Sequence, residues 1–232
     1  MTNHPVVTHQ QWLAARQQLL EKEKAFTRQR DELSAKRRGL PWEKVEKTYV
    51  FESERGRLTL TDLFAGLSQL IVYHFMFGAD WEEGCPSCSF WADNFNGIDV
   101  HLAHRDIRLL AVSTAPIDRL RQYRERMGWS FQWVSCDGND FNRDYQVTFS
   151  PEQSDVTYNY RPMPFSHPEL PGVSVFFRDT DDTVYHTYSA YSRGIDLLNG
   201  AYNYMDIAPK GRDEDALPYT MAWLKRHDQY DD

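Results

Sequence analysis

Three stretches of the chain are apolar at almost every position: residues 70–77 (LIVYHFMF), 107–113 (IRLLAVS) and 130–135 (SFQWVS). Such short continuous runs predict strands covered on both faces. Between the first two, Trp91, Phe95, Ile98 and Leu102 recur at helical spacing, predicting one helix from Cys85 toward His104 with Gly97 as its weak point. After the second, Ala115 and Pro116 open a helix with Ile117, Leu120, Tyr123 and Met127 inward, closed by Gly128. Residues 173–178 and 183–189 predict a hairpin about a DTDD turn, and 194–207 a last helix.

Upstream, residues 8–38 read as one long helix. Thr8 and Gln11 fit a capping box, Trp12, Leu19, Leu20, Phe26 and Leu33 form a narrow stripe, and Gly39 and Pro41 stop it. Such an arm needs a surface to pack on, either the body or a second subunit, which makes a homodimer through the arm one expectation. Short strands over 44–51 and 57–60 flank a turn at 54–56, and a brief helix runs from Thr61 to near Gly66. Residues 146–172, rich in proline, predict an irregular insertion before the late hairpin, and the tail after 207 reads as loop. The domain plan is an N-terminal helical arm over 1–40 and one domain over 41–232. Strand and helix alternate and then give way to a hairpin and a closing helix. That order predicts an α/β fold with a mixed sheet flanked by helices, since the first crossover must be parallel and the hairpin antiparallel. It is similar to the order of a thioredoxin-like core.

Composition narrows the functional classes. The chain has 232 residues with 7 Trp, 13 Tyr and 13 Phe, enough apolar ring surface for a packed core. A net charge of −8 argues against phosphate-backbone binding, so nucleic acid is not an expected partner. The charge is uneven: residues 1–40 hold 8 Lys and Arg against 4 Asp and Glu, the pattern of a solvated helix face. No apolar run approaches the roughly 20 residues that span a bilayer, and MTNHPVVTHQQW does not read as a secretory leader. A cytoplasmic protein without a membrane partner is therefore expected. In a reducing compartment 3 cysteines are no disulfide scaffold, and a close pair among them points to catalysis or metal binding.

That pair is Cys85-Pro86-Ser87-Cys88, a CxxC after a buried strand and at the first turn of a predicted helix. Unsatisfied N–H groups and the helix dipole there stabilise a thiolate, lowering a cysteine pKa from about 8.5 toward 7 or below. Cys85 is then the nucleophile and Cys88, one turn deeper, the resolving thiol; Pro86 suits a position whose N–H has no partner. The competing reading is that both cysteines are merely small buried hydrophobes. A metal reading also exists, because Cys85 and Cys88 with His101 and His104 give C-x2-C-x12-H-x2-H. A continuous helix, however, puts His101 roughly 20 Å from Cys88 along the axis. Neither a metal nor a cofactor is expected. Accessory candidates are Cys136 after the third strand, as a further resolving thiol or an unpaired cysteine, Asp80 and Trp81 in the loop before Cys85, and Arg193 as a charge near the thiolate. His74 reads as a hydrogen-bonded core histidine, and the tyrosine-rich stretches 156–162 and 184–191 as packing that could also stack a ligand.

The run LTLTDLFAGLSQLIVYHFMFGADWEEGCPSCSFWADNFNG, the arm HQQWLAARQQLLEKEKAFTRQRDEL and the late YSRGIDLLNGAYNYMDIAPKGRDED resemble a bacterial thioredoxin-like family of the DUF899 type. The resemblance spans nearly the whole chain. It implies a dithiol-disulfide oxidoreductase acting on a thiol or disulfide substrate, protein or small molecule. More distantly, LTLTDLFAG, RERMGWSFQWVSCDGNDFNRDYQV and VSVFFRDTDDTVYH resemble peroxiredoxins of the alkyl-hydroperoxide-reductase type, which implies a thiol peroxidase as the alternative. Peroxiredoxins carry Thr three residues before the reactive Cys; here Glu82 precedes Cys85 and Cys85 precedes Cys88. The thioredoxin cis-Pro position falls on Val173 or Gly172. A third class is a non-catalytic interaction module with structural cysteines.

Overall fold

The computed structural model of the chain describes residues 4–231. The chain forms two compact units, Met1–Pro41 and Trp42–Asp232. The first is built on α1 (His9–Arg38). Its start is the capping box read from the sequence: the Gln11 N–H donates to Thr8 Oγ1 at 3.4 Å, and the Thr8 N–H to Gln11 Oε1 at 3.1 Å. Lys36, Arg37 and Arg38 in the last turn suit the negative end of the helix dipole, and Gly39 ends it.

The second unit contains β1 (Glu43–Lys44), β2 (Val50–Ser53), β3 (Gly56–Thr59), β4 (Gln69–His74), β5 (Ile107–Ser113), β6 (Gln132–Ser135), β7 (Asp155–Tyr158), β8 (Arg161–Pro164), β9 (Gly172–Arg178) and β10 (Val184–Tyr191). Its helices are α2 (Leu60–Leu63), α3 (Pro86–Ala92), α4 (Asp99–Ala103), α5 (Ile117–Arg126), α6 (Phe141–Asp144) and α7 (Gly200–Ile207). One sheet runs β1-β10-β9-β4-β5-β6-β2-β3. Central β4 is parallel to β5 and antiparallel to β9, and β5 is parallel to β6. The fold is thus a thioredoxin-like mixed sheet flanked by helices, with the CxxC following its middle strand.

Strand alternation sorts the core into two layers. Tyr73, Phe75 and Phe77 face one layer, with Cys88, Trp91, Phe95, Tyr123 and Trp133. Leu70 and Val72 face the other, with Phe51, Val134, Cys136, Phe141 and Phe176. His74 is the core histidine the sequence suggests. Its ring nitrogens lie 2.9 Å from Asn142 Oδ1 and 2.9 Å from Ser174 Oγ, and burial pulls its pKa down to about 4.

Four expectations need correction. The helix expected from Cys85 toward His104 is two, because DNFNG at 93–97 offers poor helix formers and Gly97 adopts a φ of +79°. The Asn94 side chain binds its own helix, donating to the Phe90 carbonyl at 2.7 Å, while Asn96 accepts from the Ser130 N–H at 2.8 Å. The expected strand over 44–51 divides between opposite sheet edges, β1 pairing β10 and β2 pairing β3. The insertion is not wholly irregular: Val156 to Tyr158 are good strand formers, and β7 and β8 make a separate ribbon turned at Asn159 and Tyr160. Its prolines fit because a two-stranded ribbon has free edges. The last helix begins only at Gly200, capped by Asn199, whose Oδ1 accepts from the Tyr202 N–H at 3.0 Å; a 3-10 turn fills Ser192–Leu198 before it. Among the described residues no helix is long and apolar enough to cross a membrane.

Candidate functional site

The chain leaves β4 through Phe75 to Phe77, loops over 78–84 and enters α3 at the CxxC. Cys85 is the N-cap residue and Pro86 follows in the first turn. The Cys85 N–H donates to the Met76 carbonyl at 3.1 Å, and its own carbonyl accepts from the Ser89 N–H and Ser89 Oγ, each at 2.9 Å. Gly84 is required by packing. A Cβ there would lie 2.8 Å from the Phe75 ring and 2.9 Å from that of Tyr123.

The two thiols differ in exposure and acidity. Cys85 is partly exposed and Cys88 is 1% exposed. The Cys88 S–H hydrogen bond to the Cys85 sulfur, helped by the Cys88 and Ser87 N–H groups and the Arg226 cation, outweighs burial and brings Cys85 down to about 6. Burial, together with that same bond, pushes Cys88 well up. Two donors, one on β4 and one just beyond it, oppose the rise. The Met76 N–H donates to Cys88 Sγ at 3.4 Å, and the fully buried Tyr73 hydroxyl, with no partner of regular geometry, faces the same sulfur.

Arg226, from the tail, is the cation that sequence reading did not find. Its guanidinium donates to the Gly84 carbonyl at 2.7 Å and the Tyr123 hydroxyl at 2.9 Å, and pairs with Glu83 at 2.8 Å. Its segment has neither periodicity nor motif to mark it. Arg193, the residue expected in that role, lies on the 3-10 turn, mostly exposed and 3.3 Å from Asp196.

The other candidates are scattered. Asp80 is exposed. Trp81 packs against the Cys88-side core over Gly78, where a Cβ would lie 2.8 Å from its indole nitrogen, and its carbonyl accepts from Arg119 at 2.6 Å. Cys136 lies in the opposite core layer from Cys88, its Sγ donating to the Ser113 carbonyl at 3.4 Å, and burial pushes its thiol far up. His101 lies in α4 and His104 is its C-cap residue, and among the described residues no cluster of three His, Cys, Asp or Glu could hold a metal ion.

A cleft of about 1140 Å³ opens beside Cys88, lined there by Tyr73, Met76 and Ser87, and elsewhere by Arg193 and Lys210 among others; Cys85 is not among its lining residues. Tyr158 of β7 forms part of its wall, donating to the Pro171 carbonyl at 2.8 Å and accepting from the Ser192 N–H at 2.9 Å. The insertion therefore helps build the site. Pro171, one residue before the expected Gly172, lines the cleft, and no cis peptide bond occurs among the described residues.

Similar solved structures include peroxidoxin BcpB from Mycobacterium tuberculosis, with 16% identity and a TM-score of 0.45, covering 68% of this chain and 93% of that one. A peroxiredoxin Q from Xanthomonas campestris aligns with 13% identity and a TM-score of 0.49, covering 72% of this chain and 97% of that one. No curated protein matches the chain by sequence. One family model, described as a bacterial protein of unknown function (DUF899), matches residues 1–230, and the chain belongs to that family.

Proposed function

We propose that the protein is a thiol-disulfide oxidoreductase in which Cys85 attacks a substrate disulfide and Cys88 resolves the product. The observation that carries this reading is the pairing of a partly exposed, acidified Cys85 with a buried Cys88 one helical turn on. Near neutral pH Cys85 is largely thiolate, the nucleophilic form, while Cys88 holds its proton.

The exchange balances without a cofactor. Cys85 thiolate bonds to one sulfur of the substrate disulfide and the other leaves as a thiolate. Cys88 then bonds to Cys85 Sγ, the substrate's second sulfur departs, and the proton lost by Cys88 ends on a departing thiolate. The substrate is reduced to two thiols and the protein is oxidised to a Cys85–Cys88 disulfide, which an external thiol must reduce for turnover. A reducing, cytoplasmic setting suits that cycle.

Trapping tests it. Cys88→Ser should hold substrate as a stable mixed disulfide on Cys85, seen by mass and released by reductant. A Cys88→Ser protein that forms none, or a wild type that consumes hydroperoxide rapidly through a cysteine sulfenic acid while ignoring disulfides, would overturn the assignment.

A further inference from the structure

Tyr73 presents an unusual balance. Its side chain is fully buried, its ring held edge-on by Phe75 and Phe95 with centroids at 6.2 and 5.0 Å, yet its hydroxyl has no regular hydrogen-bond partner. Buried polar groups are nearly always satisfied, and an exception calls for a cause. Tyr73 is among the residues that line the same cleft as Met76 and Cys88, and the Met76 N–H already points at Cys88 Sγ from 3.4 Å. A neutral thiol is a weak acceptor and a thiolate a strong one. Donors left underused in the resting dithiol gain most when Cys88 ionises.

We propose that the Tyr73 hydroxyl, together with the Met76 N–H, is the donor pair that stabilises the Cys88 thiolate during resolution of the mixed disulfide. This rests on the exchange reading above and adds a residue to it. In the mixed disulfide Cys85 no longer carries charge, so the Cys85 thiolate cannot help Cys88 by accepting its proton. Cys88 must ionise in an apolar layer beneath the helix start. The step is Cys88–SH plus Cys85–S–S–R giving Cys85–S–S–Cys88 plus RSH: one S–S bond forms, one breaks, and the Cys88 proton ends on the departing sulfur. Tyr73 keeps its own proton throughout, because burial holds its pKa far above the usual tyrosine range. It is a donor and not a base. Stabilisation confined to the ionised state speeds the step in both directions, so the same pair eases departure of Cys88 when the protein disulfide is reduced.

The test separates the two chemical steps. With a nitrobenzoate aromatic disulfide, the first coloured thiol released reports attack by Cys85 and the second reports resolution by Cys88. Tyr73→Phe keeps the ring, removes the unsatisfied hydroxyl and leaves Cys85 and its neighbours in place. First release should be unchanged and second release about tenfold or more slower, with the mixed disulfide accumulating, because a hydrogen bond to a charged group is lost. A fluorotyrosine placed at position 73, a stronger donor of nearly the same shape, should speed the second release. If second release matches wild type in both variants, or if both releases slow equally, the Tyr73 role is overturned while exchange at Cys85 stands. If the wild type shows no first release that Cys85→Ser removes, the exchange reading and the Tyr73 role fall together.

Discussion

Cys85 and Cys136 follow β4 and β6, two strands that run the same way, so both thiols come out at one edge of the sheet. Their chemistry is opposite. Cys85 meets a neighbouring S–H, two backbone N–H groups and the Arg226 cation, whereas Cys136 meets an apolar layer and, next, the negative side of Glu169. Burial is the main force that raises Cys136, 1% exposed, while at the partly exposed Cys85 the donors and the cation outweigh burial. Donors and a cation around Cys85 lower its pKa, and the opposite face of the same sheet supplies the contrasting case.

The largest break of that comparison is removal of the sulfur itself. Cys85→Ser should lower disulfide exchange by roughly a thousandfold or more, since the hydroxyl is a far weaker nucleophile without a base beside it. Exchange that survives in Cys85→Ser and disappears in Cys136→Ser would reverse the two roles.

On the Cys136 side the charge belongs to Glu169, 4% exposed, whose carboxylate accepts from Thr114 Oγ1 at 2.6 Å and from Thr148 Oγ1 at 3.3 Å. Burial pushes its pKa up to about 7. The folded carboxyl therefore holds its proton above the unfolded value near 4.3, the unfolded chain binds fewer protons between the two, and stability falls as pH rises from about 4.3 to 7. Glu169→Gln removes this loss. At pH 8 it should stabilise the protein by roughly 1–3 kcal/mol in denaturant titration, and at pH 4 hardly at all. Equal effects at both pH values would show that the carboxyl is not the titrating group.

Why one thiol and not the other was only half legible in the sequence. Apolar runs marked β4, β5 and β6, and the CxxC stood out because its two cysteines are neighbours in the chain. Which layer Cys136 enters depends on the facing parity of β6 relative to β4, and that is set by register across two strand pairs. Tyr73 reads as one more aromatic of a buried strand, and nothing local distinguishes its hydroxyl. Arg226 reaches Gly84 across 142 residues of chain, from a tail with no hydrophobic period. The break after α3 was present in DNFNG, but the regular spacing of Trp91, Phe95, Ile98 and Leu102 outweighed it. Local competition by Asn94 and Asn96 for backbone partners decided otherwise.

Arg226 gives a smaller and sharper test. Alkylation of Cys85 should follow its thiolate fraction, half-maximal near pH 6 and about a tenth of maximal one unit lower. Arg226→Gln keeps a donor for the Gly84 carbonyl but removes the positive charge, so the pKa of Cys85 rises. Alkylation near pH 6 should then slow about two- to fivefold, with no change at pH 9 where both proteins are fully ionised. Identical pH profiles would leave the Cys88 thiol and the backbone N–H groups as the whole cause.

The smallest effect is expected at Cys136. Serine there replaces a sulfur that donates to the Ser113 carbonyl at 3.4 Å with a hydroxyl able to make the same bond, in a layer shared with Val112, Val134 and Phe141. The gain in hydrogen bonding and the cost of a more polar group in an apolar layer nearly offset, so stability should change by about 1 kcal/mol or less. Exchange should not change, because Cys136 and Cys88 lie on opposite faces of the sheet and β4 and β5 stand between their layers. Peptide mapping of the oxidised wild type provides the decisive readout. A Cys85–Cys88 disulfide with Cys136 free keeps the two regions chemically separate. A disulfide joining Cys136 to either partner would require the sheet edge to open and would make the third cysteine part of the cycle.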